Sequence, residues 1–290
     1  MRRFLSTFFL AFVFSYFPLF GISREVITSD VLHSLFQGYY KDDPKLREYI
    51  DHFPFENYDI YVVENRDIFY VDNIPDLIKS QFVRSGILWE VHVFEQLWHY
   101  TKPGTTAIDI GGHIGTHTLS LSRLVGNGTV HVFEPQLKIF AELVINMYLN
   151  GVHNIIFHRE ALGNVEKMVE MNASVLSNEG GVGIGSGGDI VKMKTLDSFN
   201  LTNVSIMKVD VEGLEIEVLE GGNNMILSNK PVMIVEIMGG VFYNTATPKQ
   251  KEIIHERMRK IEALGYKVHP IGLHDYLCLP KELKGMQVRG

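Results

Sequence analysis

The rhythm of the chain changes near Trp89. From residue 24 to 88, charged residues, aromatic residues and prolines are mixed, as in "YYKDDPKLREYIDHFPFENYDIYVV", with no repeat or low-complexity block. That stretch predicts short helices and strands forming an N-terminal extension that packs on the rest of the chain. Next, "WEVHVFEQLWHY" spaces its apolar residues as a helix does, and "KPG" at 102–104 stops it. Strand-like and helix-like runs then alternate. "TTAIDIG" reads as a strand and "THTLSLSRLV" as a helix, and "GNG" turns the chain into the strand "TVHVFEP". In "QLKIFAELVINMYLN", Ile139, Phe140, Leu143, Val144, Met147 and Tyr148 fall on one helical face. "NIIFHREAL" is a third strand, and the six glycines between Gly180 and Gly188 predict a surface loop or a loose hairpin. "VSIMKVDVEG", the helix-like "LEIEVLEGGNNMIL" and "KPVMIVEIMGG" continue the alternation. The charged amphipathic helix "TPKQKEIIHERMRKIEALG" and two strands, "YKVHPIG" and "DYLCLP", close it.

Apolar strands separated by helices imply an α/β fold, a mostly parallel sheet covered by helices on both faces with right-handed crossovers. Two strands in direct succession at the end imply an antiparallel last pair. In such sheets ligands bind outside the carboxyl ends of the strands, near the switch in strand order, so chemistry is to be sought there.

Composition narrows the picture. The 290 residues, 46% hydrophobic and 21% charged, suit one sizeable domain with attachments. A net charge of −7 without a basic tract offers no surface for tracking phosphates, so nucleic acid is not an expected partner. The single cysteine, Cys278, excludes an intrachain disulfide and a multi-cysteine metal site, and reads as a small core residue. At the N-terminus, Arg2 and Arg3 precede an uncharged run from Phe4 to Phe20, followed by Gly21 and Ser23. This is the layout of a signal peptide, with an uncleaved anchor through residues 4–20 as the second choice. The predicted organisation is therefore 1–23 signal or anchor, 24–88 extension and 89–290 catalytic-size domain. It predicts a secretory or membrane-associated location, with a cytoplasmic one as the alternative.

A strand running into glycines and then a helix offers backbone N–H groups and a positive helix end to a ligand. Gly111, Gly112 and Gly115 are spaced Gly-Gly-x-x-Gly rather than Gly-x-Gly-x-x-Gly, which disfavours a nicotinamide dinucleotide. Asp109, two residues before the turn, would face a pyrophosphate unfavourably but can balance an ammonium group. Glu134 ends the next strand, where a carboxylate suits the two hydroxyls of a ribose. Together these residues describe a nucleoside linked to a cationic amino acid, which is S-adenosylmethionine.

With "WE" at Trp89 and Glu90, "KPG", "IDIGGHIGTHT", "VFEP", "EALGN", "KTLDSF", "MKVDVEGLEIEVLEGG", "IVEIM" and "HDYLCLP" in order, the sequence resembles the FkbM family of S-adenosylmethionine-dependent methyltransferases from about Gly86 to Pro280. The resemblance implies a Rossmann-like class I methyltransferase fold of seven strands. It implies cofactor contacts at Asp109, Gly111, Gly115 and Glu134, with Glu160 and Ala161 beside the adenine. The family commonly carries Ala-Asn where this chain has Gly112 and His113, which complete the expected cofactor set.

Methyl transfer from a sulfonium is an in-line displacement, so the protein must align the acceptor and help an alcohol lose its proton. Lys208, Asp210 and Glu212 recur at period two and share one face of their strand. They form either a structural ion-pair cluster or part of the site. Asp210 is the candidate nearest the transferred methyl, as orienting group or base. Glu212 is the second catalytic candidate, with helix capping as its other reading. Glu236 ends the following strand at the same rim; with Glu90 and His274 it forms the expected acceptor side, and His113 could also serve there. Three such carboxylates could hold magnesium, but metal-dependent methyltransferases carry different motifs, so no metal is expected. The resemblance implies O-methylation of a sugar or other small-molecule acceptor; the alternative is a non-catalytic S-adenosylmethionine-binding or scaffold protein that kept the fold.

Overall fold

The structure, a computed structural model, describes residues 27–87, 89–174, 177–237 and 243–282. The predicted targeting segment, residues 1–23, lies outside these. Among the described residues no helix is long and apolar enough to cross a membrane.

The central sheet has seven strands: β3 (Thr106–Ile110), β4 (Thr129–Phe133), β5 (Ile155–His158), β9 (Val204–Val209), β10 (Val232–Glu236), β11 (Tyr266–Pro270) and β12 (Asp275–Pro280). Their spatial order is β11-β12-β10-β9-β3-β4-β5. Only β12 opposes the others, since β3, β4, β5, β9 and β10 pair in parallel and β12 is antiparallel to both β10 and β11. The chain enters at β3, moves outward through β4 and β5, and returns to β9 on the other side of β3. The order therefore reverses at β3, which puts the crevice for a ligand between the ends of β3, β4 and β9. The alternation of elements predicts such a mostly parallel α/β sheet with an antiparallel end, and its seven-stranded order is the class I methyltransferase arrangement that the resemblance implies.

Strand pleating sends alternate residues to opposite faces. Ala107, Val130, Ile206 and Ile234 pack with α3 (Val91–Tyr100) and α4 (Thr116–Val125), while Ile108, Met207, Val209 and Met233 pack with α6 (Glu215–Gly221), α7 (Asn223–Asn229) and α8 (Pro248–Ala263). Thr247 starts α8 with a capping box: its hydroxyl accepts from Gln250 N at 3.3 Å and Gln250 Oε1 accepts from Thr247 N at 2.9 Å. The segment "LEIEVLEGGNNMIL" is two helices rather than one. It breaks at Gly221 and Gly222, where α6 presses so closely on Gly163 that a Cβ on Gly221 would stand 2.0 Å from its carbonyl oxygen.

Helix α5 (Leu137–Leu149) has more than one apolar face. Ile139, Leu143 and Met147 face the sheet side, whereas Phe140, Ala141, Val144 and Ile145 receive the extension. The extension comprises α1 (Ser29–Phe36), α2 (Pro44–Asp51) and a hairpin of β1 (Tyr58–Val63) and β2 (Asp67–Asp72), whose Leu32, Phe36, Leu46, Ile50, Tyr58 and Tyr70 share that cluster. Asn146 joins the two parts by accepting from Tyr70 N at 2.7 Å and donating to Ile114 O at 2.9 Å. The glycine-rich region resolves into a second, three-stranded sheet. In it β7 (Lys167–Asn172) and β8 (Gly187–Lys194) form an antiparallel hairpin, and β6 (Ala161–Leu162) runs parallel to β8.

Candidate functional site

Strand register assembles the site. Asp109 lies beside Lys208, and Ile110 beside Val209, which in turn lies beside Val235. One step further, Gly111, Asp210 and Glu236 stand side by side at the carboxyl edge, two residues along from Asp109 and Lys208 and so on the same face. Gly111 has φ +83°, and a Cβ there would fall 1.8 Å from the Asp210 carbonyl oxygen, so only glycine lets the turn cross this edge.

A cleft with a cavity of about 50 Å³ opens at this point. Gly111, Glu134, Glu160, Ala161, Asp210 and Glu212 line it, and Gly180, Val182, Gly183 and Ile184 from the β7–β8 connection roof it. The roof is close: a Cβ on Gly183 would meet Glu212 O at 2.9 Å. Glu134 is 3% exposed; its Oε2 accepts from His113 N and its Oε1 from Gln136 N, each at 3.0 Å. Burial outweighs these bonds and pushes its pKa up to about 7. Glu160 accepts from Lys194 Nζ at 2.7 Å.

Other predicted cofactor residues sit behind this wall. Asp109 is buried beneath the turn, where Oδ2 accepts from Thr118 Oγ1 at 2.6 Å and Oδ1 has no hydrogen-bond partner. Gly112 and Gly115 pack against Val132 and Met147 rather than lining the cavity. His113 has φ +48°, lies beneath Gly180, and has both ring nitrogens buried without a hydrogen-bond partner. Burial pushes its pKa down to about 4, so the ring is neutral near pH 7.

The acceptor-side candidates gather around Asp210. Lys208 Nζ donates to Asp210 Oδ2 at 2.8 Å. Burial opposes the charge on Lys208, but Asp210, Glu90 and Asp109 outweigh it and raise its pKa. Burial likewise works against the Asp210 carboxylate, yet Lys208 and a hydrogen bond with Glu236 hold it below its ordinary range. Glu236 is pushed up to about 10 by burial and by the Asp210 and Glu212 charges, so it carries a proton shared with Asp210. Glu212 is pushed up to about 7 by burial, then by Asp210 and Glu215. Glu90 is pushed up to about 8, by burial first and by Asp275 and Asp210 against the pull of Lys208. Glu90 and Glu212 hold left-handed backbone, at φ +53° and +55°, a conformation that costs a non-glycine residue energy and clusters at functional sites. His274 enters through its backbone, its carbonyl accepting from Ile237 N at 2.9 Å. One oxygen each from Asp210, Glu212 and Glu236 lies within 4.8 Å of the others, a spacing a divalent cation could bridge, although Lys208 and the Glu236 proton already balance that charge.

The family model described as the methyltransferase FkbM domain matches residues 109–268, more than half of the chain. The chain belongs to the FkbM methyltransferase family. The FkbM match starts at Asp109 in β3 and reaches β11, so it encloses the cavity and the carboxylates of β9 and β10. Hexuronic acid methyltransferase AglP of Haloferax volcanii is 30% identical over 174 residues, covering 58% of this chain and 66% of the relative. Methyltransferase 1 of Beauveria bassiana is 28% identical over 141 residues, covering 39% of this chain and 57% of the relative. The chain thus spans somewhat less than two thirds of these curated relatives. A crystal structure of methyltransferase FkbM from Methylobacillus flagellatus aligns with a TM-score of 0.42 at 16% identity, covering 60% of this chain and 43% of that one.

Sequence reasoning does not reach Lys79 and Glu179, which the FkbM domain uses to seat its roof. Lys79, wholly buried, ion-pairs with Asp72 at 2.9 Å, Glu142 at 2.9 Å and Glu179 at 2.7 Å. Glu179 directly precedes the roof glycines. A lysine and a glutamate 100 residues apart leave no local signal.

Proposed function

We propose that this chain is an S-adenosylmethionine-dependent methyltransferase that methylates a hydroxyl group on a sugar or another small-molecule acceptor. The observation that carries the reading is the cavity at the switch in strand order, where Gly111, Glu134 and Glu160 meet Asp210. Its lining contains carboxylates and no lysine or arginine among the described residues. That donor set suits a cationic sulfonium compound and would repel a pyrophosphate. Glu134 spends one lone pair of each oxygen on a backbone N–H and keeps others for a ribose diol. Gly111 lets the backbone approach the ligand, Asp109 fixes the turn through Thr118, and Ala161 leaves room for a base beside Glu160.

When bound, the cofactor supplies an electrophilic methyl group. Asp210 would accept a hydrogen bond from the acceptor hydroxyl and take its proton while the oxygen–methyl bond forms and the sulfur–methyl bond breaks, the electron pair of that bond staying on the sulfur of the neutral S-adenosylhomocysteine that leaves. Lys208 keeps Asp210 ionised for this, and Glu236 holds its orientation. The relative that acts on a hexuronic acid supports the sugar class. The apolar residues 4–20 support a secretory or membrane-associated setting. The test uses full-length protein, methyl-labelled donor and a panel of glycosides. Label in an acid-stable ether, lost in Asp210→Asn with cofactor binding retained, is the expected result. Labelled product undiminished in Asp210→Asn would refute the assignment of the base.

A further inference from the structure

The roof of the cavity bears on how the donor enters, an inference that rests on the S-adenosylmethionine reading above. Beneath Gly180, Val182, Gly183 and Ile184 about 50 Å³ is open, against the roughly 300 Å³ or more of a small-molecule site. A nucleoside therefore needs volume that the roof now fills.

One residue holds the roof at four points. Glu179, 3% exposed, gives its carboxylate to Lys79 Nζ at 2.7 Å and to Lys138 Nζ at 2.6 Å. Its N–H donates to Asp76 Oδ2 at 2.7 Å, and its carbonyl accepts from Gln136 Nε2 at 3.1 Å. Gln136 and Lys138 stand at the start of α5, whereas Lys79 and Asp76 belong to the extension, before the family match begins at residue 109.

This grip can be released without stranding a buried charge. Among the described residues, Glu179 is the one carboxylate ion-paired with Lys79 or Lys138 that comes from the roof. When it leaves, Lys79 keeps Asp72 and Glu142, Lys138 keeps Asp72, and Asp76 Oδ1 still accepts from Lys79 N at 3.0 Å. The closed roof also carries a cost of its own. His113 lies under Gly180 with both ring nitrogens buried and without a hydrogen-bond partner, and lifting Gly180 gives them to water.

We propose that Glu179 is the latch of a gate over the donor cavity, held in part by the N-terminal extension, and that S-adenosylmethionine binds with this latch released. Donor affinity is then the intrinsic affinity reduced by the fraction of molecules whose roof is lifted, so weakening the latch tightens binding. A roof that only completes the wall of the site gives the opposite sign, because loosening it removes contacts with the ligand.

The test measures S-adenosylhomocysteine binding to the full-length protein, by calorimetry for Kd and by surface plasmon resonance for rates, in wild type, Glu179→Gln and Lys138→Met, with folding checked by circular dichroism. Glu179→Gln keeps the shape and removes the charge that both lysines hold. The expected result is a Kd lower by about tenfold in Glu179→Gln, carried by faster association, with a smaller shift the same way in Lys138→Met, whose side chain does not line the cavity. Unchanged or weaker binding in Glu179→Gln, or a shift the other way in Lys138→Met, overturns the inference while leaving the donor site standing. A Glu179→Gln protein that does not fold overturns it as well, since the cluster should stay paired without that charge. Absence of binding by all three folded proteins overturns the S-adenosylmethionine reading itself.

Discussion

Two clusters of buried charge, one at Lys79 and one at Lys208, are built on opposite principles. Around Lys79, two lysines meet three carboxylates: Lys79 contacts Asp72, Glu142 and Glu179, and Lys138 contacts Asp72 and Glu179. Tyr58 also donates to Glu142 Oε1, at 3.0 Å. This cluster ties the β1–β2 hairpin, α5 and the roof of the cavity into one piece. Around Lys208 one ammonium faces Asp109, Asp210 and Glu90, with Glu212 and Glu236 close behind. Buried charge persists only when it is paired or when function holds it there. The first cluster is paired within the protein and fastens it. The second gathers carboxylates around a single ammonium at the rim of the cavity.

The largest effect expected concerns the fastening cluster. Lys79→Met leaves Asp72, Glu142 and Glu179 without their shared cation, and unfolding by urea should show a loss of about 3–5 kcal/mol. A loss under about 1 kcal/mol would mean that Lys138 alone balances the cluster. Next comes the rim: Asp210→Asn keeps the side chain's size but removes the proposed base and the anion paired with buried Lys208, and methyl transfer should fall by about 10²–10⁴-fold per folded molecule, beyond any accompanying loss of stability. If stability falls instead and turnover persists, the Lys208 cluster is structural like the other.

A smaller effect separates the clusters by pH. Glu236, Glu90 and Glu212, at about 10, 8 and 7, hold protons in the folded state well above the ordinary carboxylate range. At these three positions the folded state therefore binds more protons than the unfolded chain above about pH 4.3, and these groups subtract stability as pH rises toward their folded values. Glu236→Gln keeps a donor for Asp210 and removes the ionisable group. It should stabilise the protein by on the order of 1 kcal/mol at about pH 8 and by nothing near pH 4. Thermal unfolding at both pH values reads the difference, and a variant less stable at the higher pH would contradict the account of this rim.

The sequence carries the alternation of strands and helices and the antiparallel finish, because apolar periodicity and short connections are local signals. It also brings Asp210 and Glu236 together, because residues that end parallel strands meet at one edge. Features beyond its reach are set by distant packing. The burial of Lys79 runs against the habit of its residue type and depends on carboxylates from three other segments. The hairpin of β7 and β8 escapes the apolar pattern because its residues alternate between buried and exposed around polar side chains. Asp109 reads as a ligand because it precedes the turn, yet its depth beneath Thr118 follows from how α4 lies on β3. The left-handed backbone of Glu90, His113 and Glu212 has no glycine or asparagine to announce it.

The most direct test of the central claim is calorimetric titration of the full-length protein with S-adenosylhomocysteine, beside a Glu134→Ala variant whose fold is checked by circular dichroism. Saturable binding by the wild type, lost in the variant, is the result this account predicts. A folded wild-type protein that gives no binding, or a variant that binds as well as the wild type, would contradict it.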